Sequence, residues 1–137
     1  MRDSFRRQQM MKTLDADLTG LEPGRVTIEI PFKAEFTQQH GFIHAGAIAA
    51  IGDSACGYAA YTLMPADASV LTVEFKINLL APAAGERFIA RARVLRSGRT
   101  LTTSAADVIA RQSGGERLIA TMLATIMAVA DRPGVSG

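Results

Sequence analysis

Few side chains in this sequence are suited to chemistry, and most of them fall in one stretch. "QQHGFIHAGAIAAIGDSACGYAAYTLMP" carries Gln38, His40, His44, Asp53 and the single cysteine, Cys56, among small and apolar residues. A carboxylate in such surroundings loses hydration, so its pKa rises toward the range in which a general base works. Asp53 is therefore the first candidate for catalysis. Gly46 opens the same run, where a helix end would present unpaired N–H groups and partial positive charge. Without a side chain, Gly46 would let a ligand carbonyl approach that backbone, and negative charge growing on its oxygen would be stabilised. A base and a backbone donor are what attack on a carbonyl needs.

Other readings of these residues are weaker. His40 and His44 stand four apart on a loop with no third ligand in the pattern, so no metal is expected. Cys56 follows Asp53 by three residues and shares its helix face, but a thiol nucleophile needs a nearby base and an electropositive setting. It reads as a small buried side chain. Arg87, Arg91, Arg93, Arg96 and Arg99 read as a solvated face, with Arg99 the candidate for a phosphate.

These residues need elements to hold them. Residues 45–63 are small or good helix formers with no proline until Pro65, which predicts one long helix, apolar nearly all round and hence buried. Gly46, Ala49, Ala50, Asp53, Cys56, Gly57 and Ala60 fall on one side of it; Ile48, Ile51, Ala55, Tyr58 and Thr62 fall on another. Residues 3–14 suit a short amphipathic helix, with Phe5, Met10, Met11 and Leu14 apolar. "GRVTIEIPF" alternates as a half-buried strand, and 33–44 reads as loop. Four strands follow the long helix: 70–80, 87–96, a Thr- and Ala-rich run to about Arg111, and 117–129. Turns at "APAAGE", "SGR" and "QSGGE" join them. The order predicts an α+β domain spanning 1–137, with an antiparallel sheet of five to six strands curled around one central helix. A strand as apolar as 70–80, left at an edge, would invite association. That edge is expected to pair across a dimer.

Composition sets the outer limits. At 137 residues the chain is long enough for one domain that buries roughly two-thirds of its unfolded surface. A net charge of +2, with no aromatic residues interleaved among the basic ones, gives no case for nucleic acid. It would favour a small anionic ligand such as a phosphorylated cofactor. One cysteine rules out a disulfide framework and suits a reducing compartment. Neither apolar stretch reads as a bilayer span, and the N-terminus lacks a signal-peptide pattern, so a cytoplasmic protein is expected.

The loop and helix together resemble a known family. "Q-x-x-G-x-x-H-A-G", with Asp53 nine residues after His44, is similar to the motif of hotdog-fold acyl-CoA thioesterases of the phenylacetate-degradation (PaaI-like) type, within the 4-hydroxybenzoyl-CoA thioesterase superfamily. There the pattern reads Asn-x-x-Gly-x-x-His-Gly-Gly with an acid at that spacing, so Gln38 and Ala45 are departures. "VEFKINLLAPAAGE" and "VLRSGRTL" look like the family's later strand and hairpin, and the likeness covers roughly 20–130. The resemblance implies hydrolysis of an acyl-CoA thioester, with coenzyme A part of the substrate and no separate cofactor. Asp53 would be general base or nucleophile, and the Gly46 N–H would polarise the carbonyl. Gln38 would reach the carbonyl or the attacking water from the opposite subunit. Thr72 would help place that water, and His44 would shape the helix start. Ser97, Gly98 and Arg99 would run near the coenzyme A phosphates, and the assembly would be a homodimer or a dimer of dimers. Two alternatives share the fold: a 3-hydroxyacyl thioester dehydratase or hydratase, which needs His44 and Asp53 at one site, and a non-catalytic acyl-CoA-binding protein.

Overall fold

The computed structural model describes residues 1–129. Two short helices, α1 (Arg2–Arg7) and α2 (Gln9–Thr13), lead into strands β1 (Asp17–Glu22) and β2 (Arg25–Pro31). The long helix α3 (Ala45–Tyr61) follows, and then β3 (Ser69–Leu79), β4 (Arg87–Ser97), β5 (Leu101–Gln112) and β6 (Gly115–Val129). All six strands form one antiparallel sheet in the order β1-β2-β4-β5-β6-β3. α3 thus carries the chain from β2 across to the far edge. The sheet wraps it, for α3 packs against every strand from β2 to β6. This is the hotdog arrangement that the resemblance implied.

The core lies between helix and sheet. Ile51 and Ala55 on α3 meet Ile28, Phe88, Val108 and Ile126 on the inner sheet face, all fully buried. Ala47, Ala59 and Ala60 are also buried, and these short side chains let the helix sit close against the sheet. On the outer face, the arginines meet carboxylates: Arg87 reaches Glu29 at 3.1 Å, and Arg91 and Arg111 converge on Glu116 at 3.1 and 2.9 Å. Those two guanidiniums hold the Glu116 carboxyl below the usual carboxylate range. Arg87, Arg91 and Arg93 of the expected solvated face thus carry ion pairs, Arg93 with Asp107 at 3.6 Å.

Three expectations need correction. The single N-terminal helix over 3–14 is two helices, because Gln8 takes an extended conformation (φ −70°, ψ 109°) between them. The central helix stops at Tyr61 rather than at residue 63, with Thr62 as its C-cap. A first strand, β1, escaped the sequence reading. Its pairing with β2 shifts register between Leu18 and Gly20, so the alternation that marks a strand is broken there. Gly20 fits that site because a Cβ would lie 2.9 Å from Thr27 Oγ1. Gly24, with φ +72°, turns the chain into β2. The expected span of the domain, 1–137, runs past the described residues over 130–137.

Candidate active site

Asp53 sits midway along α3, half-buried, facing the start of the edge strand β3. There the Thr72 hydroxyl donates a hydrogen bond of 2.7 Å to Asp53 Oδ1. Loss of hydration raises the Asp53 carboxyl above its ordinary value, and the Thr72 hydrogen bond draws it partly back. The two residues line a cleft of about 380 Å³ between α1, α3 and β3. Along the helix from Asp53, Gly57 leaves the cleft open: a Cβ there would meet nothing within 4 Å.

The other site residues of the sequence lie elsewhere in the chain. His44 is the N-cap of α3, and its Nδ1 accepts a 2.8 Å hydrogen bond from the Gly46 N–H. The expected carbonyl donor is therefore already engaged by the imidazole. Gln38 sits in a tight loop whose bend is made by Gly41 (φ +83°), and its Oε1 accepts from the His40 N–H. Gln38 and His44 line a separate cleft of about 580 Å³ against residues 79–83, and Gly46 lines a third beside Phe36 and Met10. One chain brings Asp53 and Thr72 together and leaves Gln38, His44 and Gly46 apart from them.

Ser97, Gly98 and Arg99 form the exposed β4–β5 hairpin and line neither the Asp53 cleft nor the Gln38 cleft. Register nonetheless ties the hairpin to the acid. Thr72 pairs with Ile126, Ile126 with Thr102, and Thr102 with Ser97, so all four share one row across the sheet. Three strand spacings put Ser97 about 14 Å from Thr72. The hairpin is at the same end of the sheet as Asp53.

Cys56 is fully buried. Burial, with the Asp53 charge adding to it against Arg93, pushes its thiol up to about 12. A thiol held protonated in this way is no nucleophile. Among the described residues, no three His, Cys, Asp or Glu side chains converge on a point a metal ion would occupy.

The sequence reading missed the N-terminal side of the cleft. Ser4 and Gln8 line it with Ser54 and Tyr58, joined by side-chain hydrogen bonds. The signal available was Tyr58, a phenol in a run of Ala and Gly whose hydroxyl needs a partner once buried.

A sheet wrapped on one helix in this strand order defines a hotdog domain. The chain belongs to the Thioesterase superfamily, whose family profile matches residues 40–116. It is similar to a thioesterase family protein from Silicibacter pomeroyi, at 55% identity and a TM-score of 0.93, over 95% of this chain and 96% of that one. A curated protein of Saccharolobus solfataricus, whose name places it provisionally among the esterases, is 42% identical over 93 residues, covering 68% of this chain and 66% of that protein. The fold is also that of the Escherichia coli PaaI protein from the phenylacetic acid degradation operon, with a TM-score of 0.84 at 18% identity, over 94% of this chain and 90% of that one. No described helix is long and apolar enough to cross a membrane.

Proposed function

We propose that this protein hydrolyses an acyl-CoA thioester to the free acid and coenzyme A, with Asp53 at the reacting centre. The observation that carries the reading is the Asp53–Thr72 pair, a half-buried carboxylate with a raised pKa beside an open cleft. Two routes use it. As general base, Asp53 takes a proton from water while the water oxygen attacks the thioester carbon. The tetrahedral intermediate then expels the thiolate of coenzyme A, which leaves with a proton. As nucleophile, Asp53 displaces that thiolate directly, and water hydrolyses the resulting anhydride. The Thr72 hydroxyl donates to Oδ1 and its oxygen retains a lone pair for the attacking water.

The rest of the machinery comes from a second copy. β3 is the edge of the sheet, and Val73, Phe75 and Leu79 on it are 55%, 45% and 56% exposed. Pairing that edge with its equivalent forms a homodimer, and two dimers form the tetramer. The partner's loop then supplies Gln38 and the Gly46 N–H to the thioester oxygen. A substrate oxygen takes that N–H by sharing it with, or displacing, the imidazole of His44. The coenzyme A phosphates run along Ser97, Gly98 and Arg99, with Arg99 as the cation. No further cofactor, nucleic acid or membrane is part of the reading. The single reduced Cys56 suits the cytoplasm.

A dehydratase would need His44 and Asp53 to act together on one substrate, so loss of turnover in Asp53→Ala with only mild loss in His44→Ala would reject it. Thiol release from a panel of acyl-CoAs tests the proposal. Turnover by the wild type with loss of about 10²–10⁴-fold in Asp53→Ala is expected. Tight binding without turnover of any thioester would make the protein an acyl-CoA-binding module instead. Oxygen-isotope transfer into Asp53 during a single turnover separates nucleophile from base.

A further inference from the structure

The outer face of the sheet holds another cleft, of about 390 Å³, over β1, β2, β4 and β5. Arg25 on β2 stands directly opposite Arg93 on β4 in the register of the two strands. The next pair along, Gly24 and Val94, is joined by a 2.8 Å backbone hydrogen bond. The arginines therefore occupy the closer, non-hydrogen-bonded kind of position, with Cβ atoms about 4.5–5.5 Å apart. Like charges placed so repel, and the fold bears that cost unless something negative lies between them. The chain itself supplies little. Among the described residues Arg25 makes no ion pair or hydrogen bond, although Glu22 stands opposite it on β1. Arg93 reaches Asp107 only at 3.6 Å, and that carboxylate already accepts a 3.0 Å hydrogen bond from Thr121.

We propose that this cleft binds a phosphoryl group, held between the Arg25 and Arg93 guanidiniums on the sheet face away from Asp53. Guanidinium forks match phosphate oxygens two at a time, and both arginines are exposed enough to turn toward one. Thr27, two residues beyond Arg25 on the same face, adds a hydroxyl that makes no hydrogen bond among the described residues. Gly20, at the bulge of β1, places no side chain over that hydroxyl, where a Cβ would lie only 2.9 Å away. Arg91 also lines the cleft, but two hydrogen bonds at 3.1 and 3.2 Å commit it to Glu116. The carboxylates of Glu22 and Asp107 line it too, which disfavours a long polyanion such as nucleic acid and leaves one compact dianion. The occupant is therefore a phosphate ester or free phosphate. The inference stands on the outer face alone and does not depend on the thioesterase reading.

Calorimetry with inorganic phosphate and with pyrophosphate tests the site, in a buffer free of other multivalent anions. One saturable site per chain is expected for each anion. Arg25→Gln and Arg93→Gln should each weaken binding at least about tenfold, through loss of a charge-assisted hydrogen bond. Lys12→Gln removes the same charge from α2, outside the cleft, and should change Kd by no more than about twofold. Pyrophosphate should raise the Tm of the wild type and not that of Arg25→Gln. Without ligand, Arg25→Gln should melt above the wild type, because the like-charge pair is gone. Coenzyme A carries an ester phosphate on its ribose, and dephospho-coenzyme A lacks it. If Arg25→Gln weakens coenzyme A binding and spares dephospho-coenzyme A, the site stands and that ribose phosphate is its occupant. If it spares both while weakening phosphate, the site stands and its occupant is a separate phosphorylated molecule. No saturable binding of either anion would overturn the proposal. So would binding that Arg25→Gln and Arg93→Gln weaken no more than Lys12→Gln does.

Discussion

Thr72, on the edge strand, donates its hydroxyl hydrogen to Asp53 Oδ1 across 2.7 Å, a bond between two side chains singled out for catalysis. It joins two of the three elements that form the cleft, α3 and β3. It also opposes the desolvation that raises the Asp53 carboxyl, because a donor to an ionised carboxylate stabilises the charged form.

Thr72→Ala removes that donor and leaves desolvation unopposed. The Asp53 pKa then rises further, and a reaction that needs the carboxylate loses rate on its acid side. The acid limb of the kcat/KM profile should move to higher pH, with kcat down by about tenfold at neutral pH. Thr72→Ser keeps the hydroxyl and should keep the limb in place. The pH dependence of thiol release reads both variants.

The same carboxyl makes a prediction about stability. Asp53 has a folded-state pKa above its unfolded one, so the folded chain binds more protons wherever pH lies between the two. Its contribution is favourable below the unfolded value and is lost as pH rises through the folded value. At neutral pH the half-buried charge is a burden on the fold. Asp53→Asn should therefore raise Tm at neutral pH, and the gain should shrink as the medium is acidified to where the wild-type acid is itself protonated. Tm measured across pH checks the sign.

Much of this was legible in the sequence, for physical reasons. α3 was readable because its residues are small and apolar over seventeen positions with no proline. The strands after it were readable because their alternation is nearly unbroken, and Asp53 stood out as a charge in apolar surroundings. β1 was hidden by a bulge that puts Leu18 and Leu21 out of phase. The break at Gln8 was hidden because glutamine is a good helix former, and only tertiary hydrogen bonds to Ser54 and Tyr58 reward leaving the helix there. The engagement of the Gly46 N–H by His44 is a side-chain conformation, to which spacing is blind.

His44 holds the start of α3, and its removal should be felt in stability. His44→Ala leaves the Gly46 N–H without its acceptor and should cost about 1 kcal/mol. His44→Asn supplies an amide oxygen at the same cap and should recover most of that loss. Chemical denaturation of the three proteins decides it. If the Gly46 N–H also serves the thioester oxygen, the two variants will differ from wild type in kcat as well.

Thr102 and Ser104 carry fully buried hydroxyls on the inner face of β5, and neither oxygen has a hydrogen-bond partner among the described residues. A buried hydroxyl without a partner has lost its hydration for nothing. Thr102→Val keeps the shape and removes the polar atom. It should stabilise the fold by about 1 kcal/mol, seen as a higher Tm with activity unchanged.

Phe75 lies on the same inner sheet side as Thr72 yet is 45% exposed. Among the described residues β3 is the last strand on its side of the sheet, and an edge strand this apolar is a template for another chain. If that chain is a second copy, its Gln38 loop and helix start complete the site that one chain leaves divided between separate clefts. Phe75→Lys puts a charge where the two edges would meet. The variant should elute as a monomer, retain its fold by circular dichroism, and lose about 10²-fold or more in kcat/KM for want of the partner's carbonyl donor. Light scattering run with the activity assay ties assembly to turnover. A monomer with full activity would show that Asp53 and Thr72 need no partner, and a wild type that is itself monomeric and active would show the same.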